Sequence, residues 1–501
     1  MSIDRLQDWI FSLQGLLSEN QKDKAGEVLQ EIQTRIANLL QVGLTYLTLC
    51  RTAPTLSGGE LQRVRLSSQL GSDLIGLTYI LDEPSIGLHP RDHHLMIDTV
   101  RNLRDKGNTV IVVEHDRDTM LSADYIIDIG PGAGVHGGEV VTAGTVEEVK
   151  ENSLSSTGRY LKGENACNSS NQKTPHEWMT LKGCTSNNLK NVDARFPLHV
   201  MCCITGVSGS GKSSLVFGTL IPALEEAIQH QRNSSKSYRS FEGYETINGF
   251  VQMDQSPIGK SSRSTPATYI GVFDAIRALY AKQPKALECG ISESHFSFNS
   301  KDGQCPVCEG QGRIKIAFQY MADHYVTCEE CKGSRYQESV LEVLYKGKNI
   351  AEVLRMDISE ALSFFTDVPD ILPKLLLMEE VGLSYLKLGQ SVATLSGGEA
   401  QRLKLAKELG GKQKKHMLYI LDEPTTGLHF QDIEKLLLIF RKLVDAGHTL
   451  YIIEHNTDII RASDWIVDIG PEGGTGGGKI VAAGNPEKIK KNPASITGRY
   501  L

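Results

Sequence analysis

The chain repeats itself once. Leu56-Ser57-Gly58-Gly59-Glu60 returns as Leu395-Ser396-Gly397-Gly398-Glu399. VGLTYLTL (Val42–Leu49) returns as VGLSYLKL (Val381–Leu388), and YILDEPSIGLH (Tyr79–His89) as YILDEPTTGLH (Tyr419–His429). VVEHD ending at Asp116 returns as IIEHN ending at Asn456, and both copies close on TGRYL, at Leu161 and Leu501. The offset is 339 residues from Leu56 to Leu395 and 340 from Tyr79 to Tyr419. One long repeat means a duplicated domain, not a solenoid, whose units are far shorter.

The copies are unequal. The second has a front section, residues 178–355, that the first lacks; Met1-Ser2-Ile3 aligns with Met356-Asp357-Ile358, inside the repeat unit. Residues 162–177 are polar and without apolar period, the pattern of a linker. HVMCCITGV (His199–Val207), MLYILDEP and TLYIIEHN are short continuous apolar runs, with LTYILDEP and NTVIVVEHD as their first-copy partners. Runs of this kind, alternating with helical stretches, are buried parallel strands of an α/β domain.

Four motifs carry chemistry. Gly206-Val207-Ser208-Gly209-Ser210-Gly211-Lys212-Ser213-Ser214 fits a phosphate loop. Its glycines let backbone N–H groups curl around phosphates, Lys212 reaches the terminal phosphates, and Ser213 offers a hydroxyl to Mg²⁺. Asp422 and Glu423 end an apolar strand: one carboxylate can hold Mg²⁺, the other can deprotonate an attacking water. Asp82-Glu83 has the same look in a copy without a phosphate loop. His455 follows TLYIIE and can contact a γ-phosphate, and it returns as His115. Ser57, Gly58, Gly59 and Glu60 precede a helical stretch, where a hydroxyl and free N–H groups make either an anion site or a plain helix cap.

Cys305, Cys308, Cys328 and Cys331 form two CxxC pairs 19 residues apart, the spacing of a closed structural Zn²⁺ site. Arg313, Lys315, His324, Phe318, Tyr320 and Tyr325 lie between the pairs. They suit nucleic-acid contact or, equally, a solvated face with packing aromatics. Gln255 is placed to sense Mg²⁺ or water, and Lys260, Arg263 and Arg277 are candidate DNA phosphate contacts. The net charge of −7 leaves no global basic field, so nucleic acid would be held through local patches. No apolar run has the length of a membrane span and the start lacks a signal-peptide layout. The other six cysteines are scattered, as buried thiols are in a reducing compartment, and a cytoplasmic location is expected.

Together and in order, TGVSGSGKSSL, DQSPIG with RSTPATY, the CxxC pairs, LSGGEAQR, ILDEPTTGLH, EHN and DIGPEGG resemble the C-terminal portion of the UvrA family, ABC ATPases of the UvrABC excinuclease. The resemblance covers essentially the whole chain. It implies one partial ABC ATPase domain at 1–161, a linker at 162–177 and a complete one at 178–501. The latter would hold a zinc module at about 289–340 and a signature region at about 341–410. It implies ATP, Mg²⁺ and Zn²⁺ as cofactors and DNA-damage recognition in nucleotide excision repair as the activity. Double-stranded DNA and a second copy in a homodimer are the implied partners, with no membrane. In such a family each ATP site is shared. Gly206–Ser213, Gln255, Asp422, Glu423 and His455 are then expected to face Ser57–Glu60. The other site would combine Ser396, Gly397 and Gly398 with Asp82, Glu83 and His115, but no phosphate loop. The family's first phosphate loop, its UvrB-docking domain and its insertion domain are expected N-terminal to Met1 and so absent from the chain; whether a separate chain supplies them stays open. Gly259–Thr265 reads GKSSRST where the family pattern is GRTPRSN, with Lys260 at an arginine position. A non-hydrolysing remnant, a drug-resistance paralogue and a transporter ATPase subunit are the rival readings; the zinc module argues against the last.

Overall fold

The computed structural model describes residues 1–53, 56, 58–71, 75–132, 137–163, 172–228, 237–254, 258, 263–316, 324–411 and 415–501. Two compact units emerge: Met1–Asp128 with Val140–Gln252 and Lys414–Leu501, and Ile129–Glu139 with Met253–Gln413. These units and the repeat copies are different divisions of the chain. The first unit gathers the nucleotide motifs of both copies, and the second holds the cysteine pairs and the second LSGGE.

In the first unit, apart from residues 129, 130 and 139, which fall in the second, the first copy contributes β1 (Thr78–Asp82), β2 (Thr109–Val113), β3 (Ile126–Gly130) and β4 (Glu139–Gly144). The second contributes β5 (Trp178–Cys184), β6 (Val192–Pro197), β7 (Met201–Thr205), β8 (Ser240–Glu242) and β9 (Gly249–Met253). The second unit holds β10 (Arg313–Ile316) and β11 (His324–Thr327), and the first resumes with β12 (Met417–Asp422), β13 (Thr449–Ile453), β14 (Trp465–Gly470) and β15 (Lys479–Gly484). The main sheet has the order β15-β14-β7-β13-β12-β9. β7 runs parallel to both β13 and β14, so the strand that feeds the phosphate loop is central. A separate antiparallel sheet has the order β6-β5-β8.

Every residue of β7 and β13 is buried, which explains their unbroken apolar runs: both sheet faces are covered. Leu215, Val216, Leu220 and Leu224, from the segment after the phosphate loop, pack with Cys202, Ile204, Ile420 and Tyr451 in one core.

The first copy differs from its sequence reading. The apolar runs of β1 and β2 predict buried strands, yet both alternate exposed and half-buried residues. Ile80, Ile111 and Val113 are 72%, 49% and 49% exposed, whereas their counterparts Ile420, Tyr451 and Ile453 are 0%, 0% and 1%. The residue types are similar; the covering elements differ. In the second copy β7 joins β13 to β14, while β1-β2 and β3-β4 form two separate pairs. The first copy's remaining apolar residues make a core of their own, with Ile3, Ile10, Ile36, Leu44, Leu66, Leu88, Met96 and Leu103.

In the second unit, Gly397–Leu409 is a helix whose Ser396 cap is reciprocal. Ser396 Oγ accepts from Glu399 N–H, and the Glu399 carboxylate accepts from Ser396 N–H. Gln401 and Lys404 of that helix donate to the carbonyls of Met253 and Asp254, the latter also as an ion pair at 2.7 Å. The repeat is visible in small contacts too: Ser2 bridges Thr48 in the first unit, and Asp357 bridges Lys387 in the second. The first copy's opening helices, Ile3–Leu16 and Glu19–Gln41, are longer than their second-copy counterparts Ile358–Phe364 and Leu372–Glu380. Among the described residues no helix is long and apolar enough to cross a membrane.

The difference in cover is testable. Ile420→Ala should destabilise the first unit by about 2–5 kcal/mol, because it leaves a cavity in a closed core. Ile80→Ala should cost under about 0.5 kcal/mol, because its side chain already meets water. Chemical denaturation followed by fluorescence compares the two; equal losses would contradict the half-covered first copy.

Candidate functional site

β7 runs straight into the loop 206–211, where Gly206, Gly209 and Gly211 have φ of 137°, 74° and 114°. Side chains rarely adopt that region, and a Cβ on Gly206 would stand 2.0 Å from the Ile469 carbonyl oxygen. Successive N–H groups in such a curl form an anion cradle. The following helix starts at Lys212, with Gly211 as its cap, and continues through a π-helical stretch to Ile228. Lys212 is buried, and its Nζ donates to the carbonyls of Gly206 (2.8 Å) and Val207 (3.2 Å). Burial pushes its pKa down, opposed by Glu423 and Asp422. Ser213, exposed at the helix start, and Asp422, at the end of β12, supply the hard oxygen donors Mg²⁺ prefers.

Glu423 has φ 46°, and its N–H donates to the Ile453 carbonyl (2.9 Å). Left-handed backbone at a non-glycine residue stores strain of about 1–3 kcal/mol, a feature that clusters at functional sites. Burial pushes the Glu423 carboxyl up, with Asp422 and Glu454 adding to the shift and Lys212 and Arg63 opposing it. His455 Nε2 lies 3.9 Å from Glu423 Oε1. The buried Glu454 carboxylate holds the turn that aims His455, accepting from the N–H groups of His455 (2.7 Å), Asn456 (2.9 Å) and Thr425 (3.0 Å). Burial, with Lys212 next, keeps His455 well below the usual imidazole pKa, so the ring is neutral.

The first copy closes on this group. Tyr46 hydroxyl donates to Glu60 (2.8 Å), and Arg51 grips the same carboxylate with two bonds. The Tyr46 ring lies on the phosphate loop: a Cβ on Gly209 would stand 2.7 Å from its edge. A Cβ on Gly59 would stand 2.3 Å from the Ile86 carbonyl oxygen, so the signature helix and the turn after β1 touch backbone to backbone. That turn reaches across: Ser208 Oγ donates to the Gly87 carbonyl (3.2 Å), and a Cβ on Gly87 would meet the Glu423 carboxylate at 3.4 Å. The mirror contact exists as well, with Gly427 facing Glu83 at 3.4 Å. Arg63, on the signature helix, is 2% exposed, and its Nε and Nη1 have no hydrogen-bond partner among the described residues.

In the second unit the Sγ atoms of Cys305, Cys308, Cys328 and Cys331 all lie within 4.8 Å of one another, with Cys308 and Cys331 3.6 Å apart. A tetrahedral Zn²⁺ with Zn–S near 2.3 Å places its sulfurs about 3.8 Å apart, so the four thiols fit one zinc ion. β10 and β11 form the antiparallel hairpin between the pairs, with Arg313 stacked over the Tyr325 ring at 4.4 Å and β11 exposed throughout.

The geometry has close counterparts. The chain is 52% identical over 491 residues to the UvrABC system protein A of Thermus thermophilus, covering 98% of this chain and 52% of that protein. To the same protein of Bacillus subtilis it is 52% identical over 487 residues, covering 97% and 51%. The crystal structure of UvrA2 from Deinococcus radiodurans matches with a TM-score of 0.93 at 42% identity, over 100% of this chain and 62% of that one. This chain belongs to the UvrA family. It spans about half the length of the curated relatives it matches. No family model matches it. A model of ribosome-bound archaeal Pelota and ABCE1, at 18% identity and a TM-score of 0.53, shares the fold alone.

For this UvrA-family chain, the expected residues Gly206–Ser214, Asp422, Glu423 and His455 fall in one unit with Gly58, Gly59 and Glu60. Ser57, Gln255 and Lys260 lie outside the described residues, as do Phe318 and Tyr320. Arg263 is paired with Glu309 (3.7 Å), and Arg277 with Asp274 (2.6 Å) and Glu293 (3.8 Å). Sequence reasoning misses Tyr46, Arg63, Glu454 and the Gly87–His89 turn. Their signal is present, since each returns in the second copy or the first, as Tyr385, Arg402, Glu114 and Gly427–His429.

Purified protein should carry about one Zn²⁺ per chain, read by elemental analysis. A Cys305→Ser/Cys328→Ser double variant should lose it while keeping the main sheet, which buries its strands without the metal. Unchanged metal content in that variant would contradict the assignment.

Proposed function

We propose that this chain binds and hydrolyses Mg-ATP at the shared site of the first unit, and that it does so as the DNA-binding, damage-recognition component of a nucleotide excision repair system. One observation carries the reading: first-copy Tyr46 and Gly87 pack directly on second-copy Gly209 and Glu423. Lys212 and the loop N–H groups bind phosphate oxygens. Ser213 and Asp422 hold Mg²⁺, which screens phosphate charge when bound. Glu423 takes the proton of the attacking water, and neutral His455 donates to the γ-phosphate. The signature helix start, with Ser57, Gly58 and Gly59, closes over the phosphates with its N–H groups.

The domain division 1–161, 162–177 and 178–501 belongs to the same reading. The end of that linker is tied to the second copy: Gln172 donates to the carbonyls of Arg461 and Ser463, and Lys173 N–H to Asp464. Among the described residues β2 pairs with β1 alone, and its other flank is suited to a parallel strand as β13 is to β7; such a strand would bring the first copy a phosphate loop. Duplex DNA is held through local basic residues such as Lys260 and Arg263, with Arg277 after release from its ion pairs, and the chain pairs with a second copy.

Lys212→Ala should abolish most nucleotide binding, and Glu423→Gln should keep binding while turnover falls about 10²–10⁴-fold. Nucleotide titration and steady-state phosphate release measure both; full binding by Lys212→Ala would contradict the site. Duplex binding should weaken steadily as salt rises, with little sequence preference. Salt-independent binding would rule out phosphate contacts.

A further inference from the structure

The histidine that ends ILDEPSIGLH has no place in the chemistry above, yet it is 1% exposed and sits across the copy boundary. His89 caps the helix Pro90–Asp105: its Nδ1 accepts from Arg91 N–H at 3.1 Å. With Nδ1 accepting, the ring proton is on Nε2, and that nitrogen lies 3.1 Å from Thr497 Oγ1 in the second copy. The Thr497 hydroxyl in turn donates to Asp468 Oδ1 (2.8 Å). The same carboxyl oxygen accepts from Thr205 Oγ1 (2.9 Å), and Thr205 is the last residue of β7 before the phosphate loop. His89 also stands edge-on to the His455 ring, with centroids 5.8 Å apart, and edge-on to Tyr500 at 5.8 Å.

The chain from His89 through Thr497 and Asp468 to Thr205 is buried at each link. A buried, fully bonded polar network holds its members in one arrangement. Burial and the nearby Lys212 push His89 down to about 3, so the ring stays neutral and keeps this donor pattern at any working pH. The mirror position is not equivalent. His429 makes no side-chain cap bond, and its ring lies tilted against that of Phe430, which replaces Pro90, with centroids 3.9 Å apart. Thr157, the counterpart of Thr497, still donates to Asp128 (2.8 Å).

We propose that His89 is a positioning residue of the opposite copy's nucleotide site: it ties the first-copy turn to the root of the phosphate loop and sets the His455 ring for the γ-phosphate. The inference rests on the ATP reading. It makes discrimination between a triphosphate and a diphosphate depend on a side chain that touches neither.

The test is equilibrium binding of ADP and of the non-hydrolysable analogue AMP-PNP, with Mg²⁺, to the full chain. His89→Phe keeps an edge-on ring but breaks the relay. It should lower the preference for AMP-PNP over ADP about tenfold, the size of a typical coupling between sites, with ADP affinity unchanged. Thr497→Val removes the acceptor without changing shape and should do the same, and it serves if His89→Phe does not fold. The double variant should be no worse than either single one, because both cut the same relay. His89→Gln can accept from Arg91 N–H and donate to Thr497, and should return to within about threefold of the unsubstituted chain. His429→Phe should leave the preference unchanged. An unchanged preference in a folded His89→Phe or Thr497→Val, or additive losses in the double variant, would overturn this inference alone. Absence of any nucleotide binding by the unsubstituted chain would overturn the ATP reading and this inference with it.

Discussion

The two copies join where side chains of one pack on glycines of the other. The Ile86 carbonyl occupies the space a side chain on Gly59 would need, Tyr46 occupies that space at Gly209, and the Glu423 carboxylate borders it at Gly87. Contacts this close exist only between glycine and its neighbour, and they fix distances that side chains would leave adjustable. The signature helix, the turn after β1, the phosphate loop and the acidic strand end therefore form one rigid cluster. The strained Glu423 backbone and the opposed shifts of Lys212 and Glu423 are properties of that cluster.

The cluster is lopsided in a way that its sequence symmetry hides. Glu83 shares the left-handed backbone of Glu423, and Glu114 grips the N–H groups of His115 and Asp116 as Glu454 grips its own turn. The first copy thus keeps the local geometry of an acidic site. Its sheet does not keep the cover: Ile80 and Val113 face water, whereas their counterparts Ile420 and Ile453 are sealed. Local turns are set by hydrogen bonds among near neighbours and survive; a closed core needs strands from far away in sequence.

The same distinction separates what can be read in the sequence from what cannot. The phosphate loop, the DEP strand ends and the cysteine pairs are short patterns whose chemistry is written in consecutive residues, and their elements stand where expected. The exposure of β1 and β2 escapes a sequence reading because Val- and Ile-rich runs report what a strand can bury, not whether a neighbour arrives. Tyr46, Arg63 and His89 act across the copy boundary. Their partners Gly209, Glu423 and Thr497 lie far away in sequence, so no local pattern names them. The repeat is the one signal that can, because each returns in the other copy.

The central claim is that the first signature and the second phosphate loop serve one nucleotide within one chain. Steady-state ATP turnover of Ser57→Arg against Ser396→Arg tests it most directly. On the proposed reading Ser57 belongs to the signature that closes over the phosphates, so an arginine in its place should block turnover while sparing binding. The same change at position 396 should alter turnover little, because its counterpart site has no phosphate loop in residues 1–501. Loss of turnover from Ser396→Arg with Ser57→Arg intact would contradict the account and point instead to a loop shared between two chains.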